Sequence, residues 1–367
     1  MVINHAAGSP GVLVVGTGFG CRIQVPALRA AGFNVLGLVG TDIARTRERA
    51  AANGLPGVFT DLDEAITESE AAAVAISTPP HTHAALVLKA ISHRRHVLCE
   101  KPFAMNLGEA RAMLEAAERA GVVHVIGHEF RWETSRALMM RAIADGLIGE
   151  PRLATLTQFL HYAGHPRVRL PDWWFDRDSG GGWLGASGSH MLDCLRIWLG
   201  EFESLSASLP RITPGEGAED SYVMRFRLKS GVEGVLQQTA GAWGPHVATV
   251  RVAGTKGTLW LQDGAVWLAD DQGTRALPVP QELLLPPLPP LSSDPRQKSP
   301  EWQMLAQVEL APYTELCKAW RAAIDRRSVP CPVPIPTFAD GVANTRVLDA
   351  IRWSAANAGA RATVPES

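Results

Sequence analysis

The chain is poor in several features that would steer a functional reading. It has five cysteines among 367 residues. Cys21, Cys99, Cys194, Cys317 and Cys331 are widely spaced, odd in number and form no C-x-x-C pair. That argues against a disulfide framework and fits a reducing compartment. There is no excess of either charge: 35 Lys and Arg face 37 Asp and Glu, a formal net charge of -2. A near-neutral chain has no basic field to hold a phosphate backbone, so nucleic acid is excluded as the expected partner. No uncharged apolar stretch reaches the ~20 residues needed to span a bilayer. The best candidate, Ala71 to Leu88, is broken by Pro79-Pro80 and two histidines. Residues 1–10 lack the basic and apolar regions of a signal peptide. A cytoplasmic protein with no membrane partner is expected. No G-x-S-x-G nucleophile turn occurs. His81-x-His83 and the pair His161/His165 stand without matching cysteines or carboxylates, so no metal is predicted.

Tryptophan is absent from the first 131 residues, although the chain has 11. The early part instead alternates short Val/Leu/Ile runs with Ala-rich stretches. Strands are expected at Val12–Val15, Asn34–Val39, Ala72–Ile76, His96–Cys99 and Val122–Ile126. Helices fall between them: Cys21–Ala31, Arg45–Ala52, Asp61–Ser69 and Thr82–Ser92. A further helix begins at the cap Asn106, has Glu109 three residues on as in a capping box, and is closed by Gly121. This alternation predicts an α/β fold, a doubly wound parallel sheet with helices on both faces. After Trp132 the pattern changes. A helix near Ser135–Asp145 is followed by Leu153–Leu160, Ser221–Leu228, Gly234–Thr239, Thr249–Val252, Thr258–Leu261 and Val266–Leu268. Turns such as Lys229-Ser230-Gly231 join these alternating segments, which predicts a largely antiparallel sheet. Pro278–Pro300 reads as an extended proline-rich loop, and a helix over Phe338–Ala356 ends the chain. At roughly 100–200 residues per domain, the length fits two.

Gly16-Thr17-Gly18-Phe19-Gly20 follows the first strand and opens a helix. Glycines there allow a tight turn and let the backbone approach a pyrophosphate. Asp42, at the end of the second strand, is placed to take ribose hydroxyls. Its carboxylate would repel a 2′-phosphate, which favours NAD over NADP, although Arg45 and Arg47 could fold back onto a phosphate. The position of the usual third glycine is Cys21. Ser77-Thr78-Pro79-Pro80-His81-Thr82-His83 lies at the end of the third strand, where open α/β sheets bind ligands. Glu100-Lys101-Pro102 follows the next strand. A lysine partly desolvated beside a cationic nicotinamide releases its proton more readily and becomes a useful proton acceptor.

Together, the glycine turn, Ser77-Thr78-Pro79-Pro80 with His83, and Glu100-Lys101-Pro102 resemble the Gfo/Idh/MocA oxidoreductase family. The resemblance continues through His128-Glu129-Phe130-Arg131-Trp132, Gly180-Gly181-Gly182, Gly188-Ser189-His190-Met191-Leu192-Asp193 and Gly254-Thr255-Lys256-Gly257. It ends with Asp340-Gly341 and Leu348-Asp349-Ala350, so it covers nearly the whole chain.

The resemblance implies a Rossmann domain, set here at residues 1–128, and an α/β domain with a large open sheet at 129–367, used for substrate binding and for homodimer or homotetramer contacts. It also implies a tightly held NAD(P), a sugar or cyclitol substrate, Lys101 as the proton-transfer residue with His190 assisting, and a cis Lys101–Pro102 bond. The cofactor set is then Gly16, Gly18, Phe19, Gly20, Asp42, Ser77, Thr78, Pro79, His83, Glu100 and Arg131. Arg131 sits near the nicotinamide or pairs with Glu129 or Glu133. Trp173 and Trp174 stack on a sugar face or belong to the core, and Asp193 is a further substrate-side candidate. Many relatives have an aspartate four residues before the histidine, where this chain has Ala186. Lys101 and His190 suffice, another acid such as Asp193 or Asp176 substitutes, or this member binds the cofactor without ordinary turnover; the first two are favoured. The expected activity is hydride transfer between a secondary alcohol and nicotinamide. A cofactor-bound sugar sensor and an NAD-dependent glycosidase are the alternatives.

Overall fold

The computed structural model describes residues 8–164, 170–286, 300–328 and 331–365. His165 and most of the proline-rich stretch lie outside them. The chain forms two compact units, one of residues 1–132 and 285–342, the other of 133–284 and 343–367.

The first unit begins with β1 (Gly11–Val15), a π-helical turn (Gly20–Gln24) that runs into α1 (Val25–Ala30), and β2 (Asn34–Val39). Next come α2 (Ile43–Ala52), β3 (Gly57–Phe59), α3 (Leu62–Ser69), β4 (Ala73–Ile76), α4 (His83–Ser92), β5 (His96–Cys99), α5 (Leu107–Ala120) and β6 (His124–Ile126). All six strands are parallel, in the order β3-β2-β1-β4-β5-β6. The central strands are near-continuous apolar runs because helices cover both faces: Val12, Leu13, Val14, Val74 and Ile76 are fully buried. Local chemistry starts the helices where expected. Asp42 accepts from the Arg45 N–H, Asp61 from the Glu64 N–H, and Asn106 from the Glu109 N–H, while the Glu109 carboxylate takes the Met105 N–H. Gly121 ends α5 in a left-handed conformation.

The second unit holds α6 (Thr134–Ala144), β7 (Pro151–Phe159), a π-helical turn (Leu184–Gly188) leading into α7 (Ser189–Leu199), and β8 (Phe202–Ser208). Strands β9 (Ser221–Leu228), β10 (Glu233–Thr239), β11 (Val247–Gly254), β12 (Gly257–Gln262), β13 (Ala265–Asp270) and β14 (Gly273–Ala276) follow. After them, α8 (Pro300–Ile324) belongs to the first unit, α9 (Phe338–Ala356) begins in the first unit and continues into the second, and β15 (Ala362–Thr363) closes the chain. The nine strands order as β14-β13-β12-β11-β7-β10-β9-β8-β15, and β7–β10 is a parallel pair within a sheet otherwise antiparallel. Period-2 patterning decides which face is covered. Tyr222, Met224, Phe226 and Leu228 of β9 are buried, while Val223, Arg225 and Arg227 are turned out.

Four departures from the sequence reading have physical causes. No single cut at 128/129 separates the units, because 285–342 returns to the first. There α8 packs on α1, with Trp320 against Phe33 and the Arg321 guanidinium on the Gly32 carbonyl. Helix α8 was hidden in the sequence by Pro300 and by Pro312, which sits inside it, since proline ordinarily reads as a helix breaker. Helix α7 was masked by its glycine-rich approach. Strands β3 and β14 are only three and four residues long, and β8 has serine or glutamate at four of its seven positions, so none of the three signals itself by an apolar run.

Candidate functional site

In the first unit the chain reverses its direction of strand addition between β1 and β4, the place where open α/β sheets leave a crevice at their carboxyl ends. Both sides of that crevice come from predicted motifs. Gly16 has φ +109°, and a Cβ on it would lie 2.6 Å from the Ser77 carbonyl oxygen. Only glycine fits so close to the end of β4. A Cβ on Gly20 would press Val14 and the Ser77 hydroxyl, whereas one on Gly18 would meet nothing within 4 Å. The turn is therefore tight on its inner side and open at Gly18, as the approach of a pyrophosphate requires. Ser77 is fixed by its N–H and hydroxyl to the Val15 carbonyl. Asp42 caps α2, is about half-exposed, and has the Arg45 guanidinium 3.5 Å away. Arg49 reaches the carbonyl and hydroxyl of Thr17. The glycine turn and the Ser77 backbone beside it fit a dinucleotide.

His83 is a fully buried brace. Its Nδ1 lies 3.1 Å from the Pro102 carbonyl and 3.2 Å from that of Phe103, and its Nε2 lies 2.9 Å from the Thr78 carbonyl. Burial pushes its pKa down. It thus ties the loop after β4 to the loop after β5, and the Thr82 hydroxyl bonds both Thr78 and the Pro79 carbonyl within the first of them. The Lys101–Pro102 bond is cis.

Behind Lys101 is a buried polar cluster that sequence reading did not assemble. The Glu100 carboxylate accepts from the Tyr313 hydroxyl of α8 at 2.6 Å, from Gln24 Nε2 at 3.4 Å and from the Lys101 N–H at 3.3 Å. Gln24 Nε2 also donates to the Tyr313 hydroxyl at 2.9 Å. Burial raises Glu100 to about 7, against the opposing pull of the Lys101 charge and the tyrosine hydrogen bond. Glu129, also buried, is pushed well above the carboxylate range by burial and then by Glu100. Arg131 holds Asp340 at 2.8 Å and the Pro334 carbonyl at 3.0 Å, clamping the first turn of α9 and the segment before it to this unit.

In the second unit, His190 is the second residue of α7 and is buried. The helix starts against the inner sheet face: a Cβ on Gly188 would lie 3.1 Å from the Tyr222 ring, and the Ser187 hydroxyl donates to Gln238 of β10. Ala186 lies in the π-helical turn. A second acid sits beside that turn, Glu219, whose carboxylate accepts from the Leu184 N–H and whose carbonyl takes the Trp183 N–H. Burial raises its pKa. Asp193 is buried with Arg196 at 3.6 Å, and the exposed Asp176 organises its own loop by accepting from the Asp178 N–H and the Ser179 hydroxyl. Trp173 and Trp174 are half-buried and meet edge to face, with Trp183 beside Trp174. Among the described residues no cluster of His, Cys, Asp or Glu is arranged to hold a metal ion. No helix among them is long and apolar enough to cross a membrane.

A parallel sheet of this order with a glycine turn at the switch point is a Rossmann sheet of the dinucleotide-binding class, and the relatives that follow make the chain an NAD(P)-dependent oxidoreductase of CH–OH groups. The chain belongs to the Gfo/Idh/MocA family: residues 11–128 match the oxidoreductase family with NAD-binding Rossmann fold, and residues 137–260 match the GFO/IDH/MocA C-terminal domain. It is 32% identical to the 1,5-anhydro-D-fructose reductase of Ensifer adhaerens, over 70% of this chain and 78% of the relative. It is 28% identical to the myo-inositol 2-dehydrogenase of Thermotoga maritima, over 63% of this chain and 69% of that one. A levoglucosan dehydrogenase solved with NADH and levoglucosan has the same fold, with a TM-score of 0.81 at 24% identity, covering 98% of this chain and 100% of its own.

Proposed function

We propose that the enzyme transfers hydride between a secondary alcohol carbon of a sugar, cyclitol or related polyol and NAD, with Lys101 as proton acceptor and His190 as a hydrogen-bonding partner of the same or a neighbouring hydroxyl. The observation that carries this reading is Lys101 itself. It follows the carboxyl end of β5, one strand from the crevice, with its backbone fixed by Glu100 and its loop braced by His83. The nicotinamide, when bound, supplies the hydride acceptor or donor. In the oxidative direction the Lys101 amine takes the hydroxyl proton as the alcohol becomes a carbonyl; in reduction the ammonium returns it. His190 orients the hydroxyl. The preference for NAD is supported by Asp42, whose carboxylate would meet a 2′-phosphate with like charge, and by Arg45, which is turned toward Asp42.

The test begins with mass spectrometry of the denatured, purified chain for carried-over dinucleotide. A panel of anhydrosugars, inositols and aldoses is then screened for cofactor reduction. Lys101→Ala should lower kcat by about 10²–10⁴ on an accepted substrate. Full turnover by that variant would remove Lys101 from the chemistry.

A further inference from the structure

The cluster behind Lys101 contains a residue far from every motif that marks the family in this sequence. Tyr313 is fully buried on α8, and its hydroxyl makes the shortest hydrogen bond to Glu100. The space for that carboxylate is set aside by a glycine: a Cβ on Gly127 would lie 2.8–2.9 Å from the carboxyl atoms of Glu100. Gln24 Nε2 reaches the same carboxylate at 3.4 Å. With its two oxygens divided between Tyr313 and the Lys101 N–H, the carboxylate links α8 mechanically to the lysine backbone.

We propose that Tyr313 is a positioning residue for the reaction: by donating to the Glu100 carboxylate it seats that group against the Lys101 backbone, and so aligns the lysine. The inference rests on the reading of Lys101 given above. A hydrogen bond donated to an ionised carboxylate favours the charged form and is roughly twice as strong as one between neutral groups. The surroundings otherwise favour the neutral acid. Cys99 on β5, Glu129 after β6, and Glu309 and Cys317 on α8 bring no positive charge to it, the Lys101 charge opposes them, and Arg22, on the same turn as Gln24, pairs with Glu309. Tyr313 is itself held protonated, its pKa driven far up first by burial and then by Glu100, so its role is to donate.

The experiment compares the full-length protein with Tyr313→Phe, Glu100→Gln and the double variant, each saturated with NAD. Carboxyl-¹³C glutamate labelling identifies the Glu100 resonance as the one lost in Glu100→Gln. In Tyr313→Phe its titration midpoint should move up by about one pH unit. The acid limb of the kcat profile should move with it, with KM changed less than about twofold, as expected when only the reacting geometry is touched. In the Glu100→Gln background, Tyr313→Phe should add nothing, whereas a purely structural tyrosine would cost the same in both backgrounds. An unmoved midpoint, or additive losses in the double variant, overturns the proposal. A moved midpoint in a protein that oxidises none of the polyols leaves the Tyr313–Glu100 coupling standing and counts against the function proposed for Lys101.

Discussion

Each unit buries a carboxylate almost completely, and the two are handled in opposite ways. In the second unit Asp220 accepts from the Ile212 and Thr213 N–H groups and from the Thr213 and Ser221 hydroxyls. Burial would raise its pKa, but those donors outweigh it and hold the group below the usual carboxylate range. In the first unit Glu100 has one hydroxyl, one long amide contact and one backbone N–H, and burial wins. A carboxylate surrounded by donors is a fixed anion that ties a loop to a strand. One with few donors titrates near neutral pH, where a small change in its surroundings alters its charge, as expected of a group beside the lysine proposed to carry the proton.

Removing each acid should expose that difference. Asp220→Ala should have the largest effect, a loss of about 3–4 kcal/mol in unfolding free energy, because four donors lose their acceptor in a buried place. Denaturant titration at neutral pH measures it, and a loss below about 1 kcal/mol would make the network incidental. Glu100→Gln should instead stabilise, and by an amount that depends on pH. A carboxyl whose folded value lies near 7 and whose unfolded value lies near 4.5 keeps its proton longer when folded. Its penalty is absent below the unfolded value, grows as pH rises between the two, and is complete above the folded one. The variant should therefore equal the parent near pH 4.5 and exceed it by up to about 3 kcal/mol at pH 8. Melting temperatures at the two pH values decide the matter, and a gain of the opposite sign would mean that Glu100 is ionised throughout. The smallest expected effect concerns thiols near that acid. Cys99 and Cys317 are buried and their pKa values raised by burial, then by Glu100, whereas Cys331 is exposed. A thiol-specific reagent on the folded protein should label Cys331 and leave Cys99 and Cys317 unmodified, and peptide mapping would show it.

Much of the first unit was legible because its signals are local. Asn106 with Glu109 marked the start of α5, the Val-rich runs marked the strands within a residue or two, and Gly16 to Gly20 marked the turn at the switch point. The site was legible where one stretch carries it, as in Ser77–His83 and Glu100–Pro102. Roles that depend on a distant partner were not. His83 braces two loops through the Pro102, Phe103 and Thr78 carbonyls, and Arg131 holds Asp340 from far along the chain. Glu219 stayed hidden because nothing in its own segment distinguishes it from a solvated loop acid.

Periodicity, caps and glycines depend on backbone sterics and hydrogen bonds within a few residues, and these were enough for the sequence by itself to determine the parallel sheet, the nucleotide turn and the lysine at the end of β5. The tertiary structure alone decided what lies behind that lysine. Tyr313 meets Glu100 across a separation of 213 residues, and the burial that shifts an acid toward neutrality belongs to the packed surroundings and not to any residue in them.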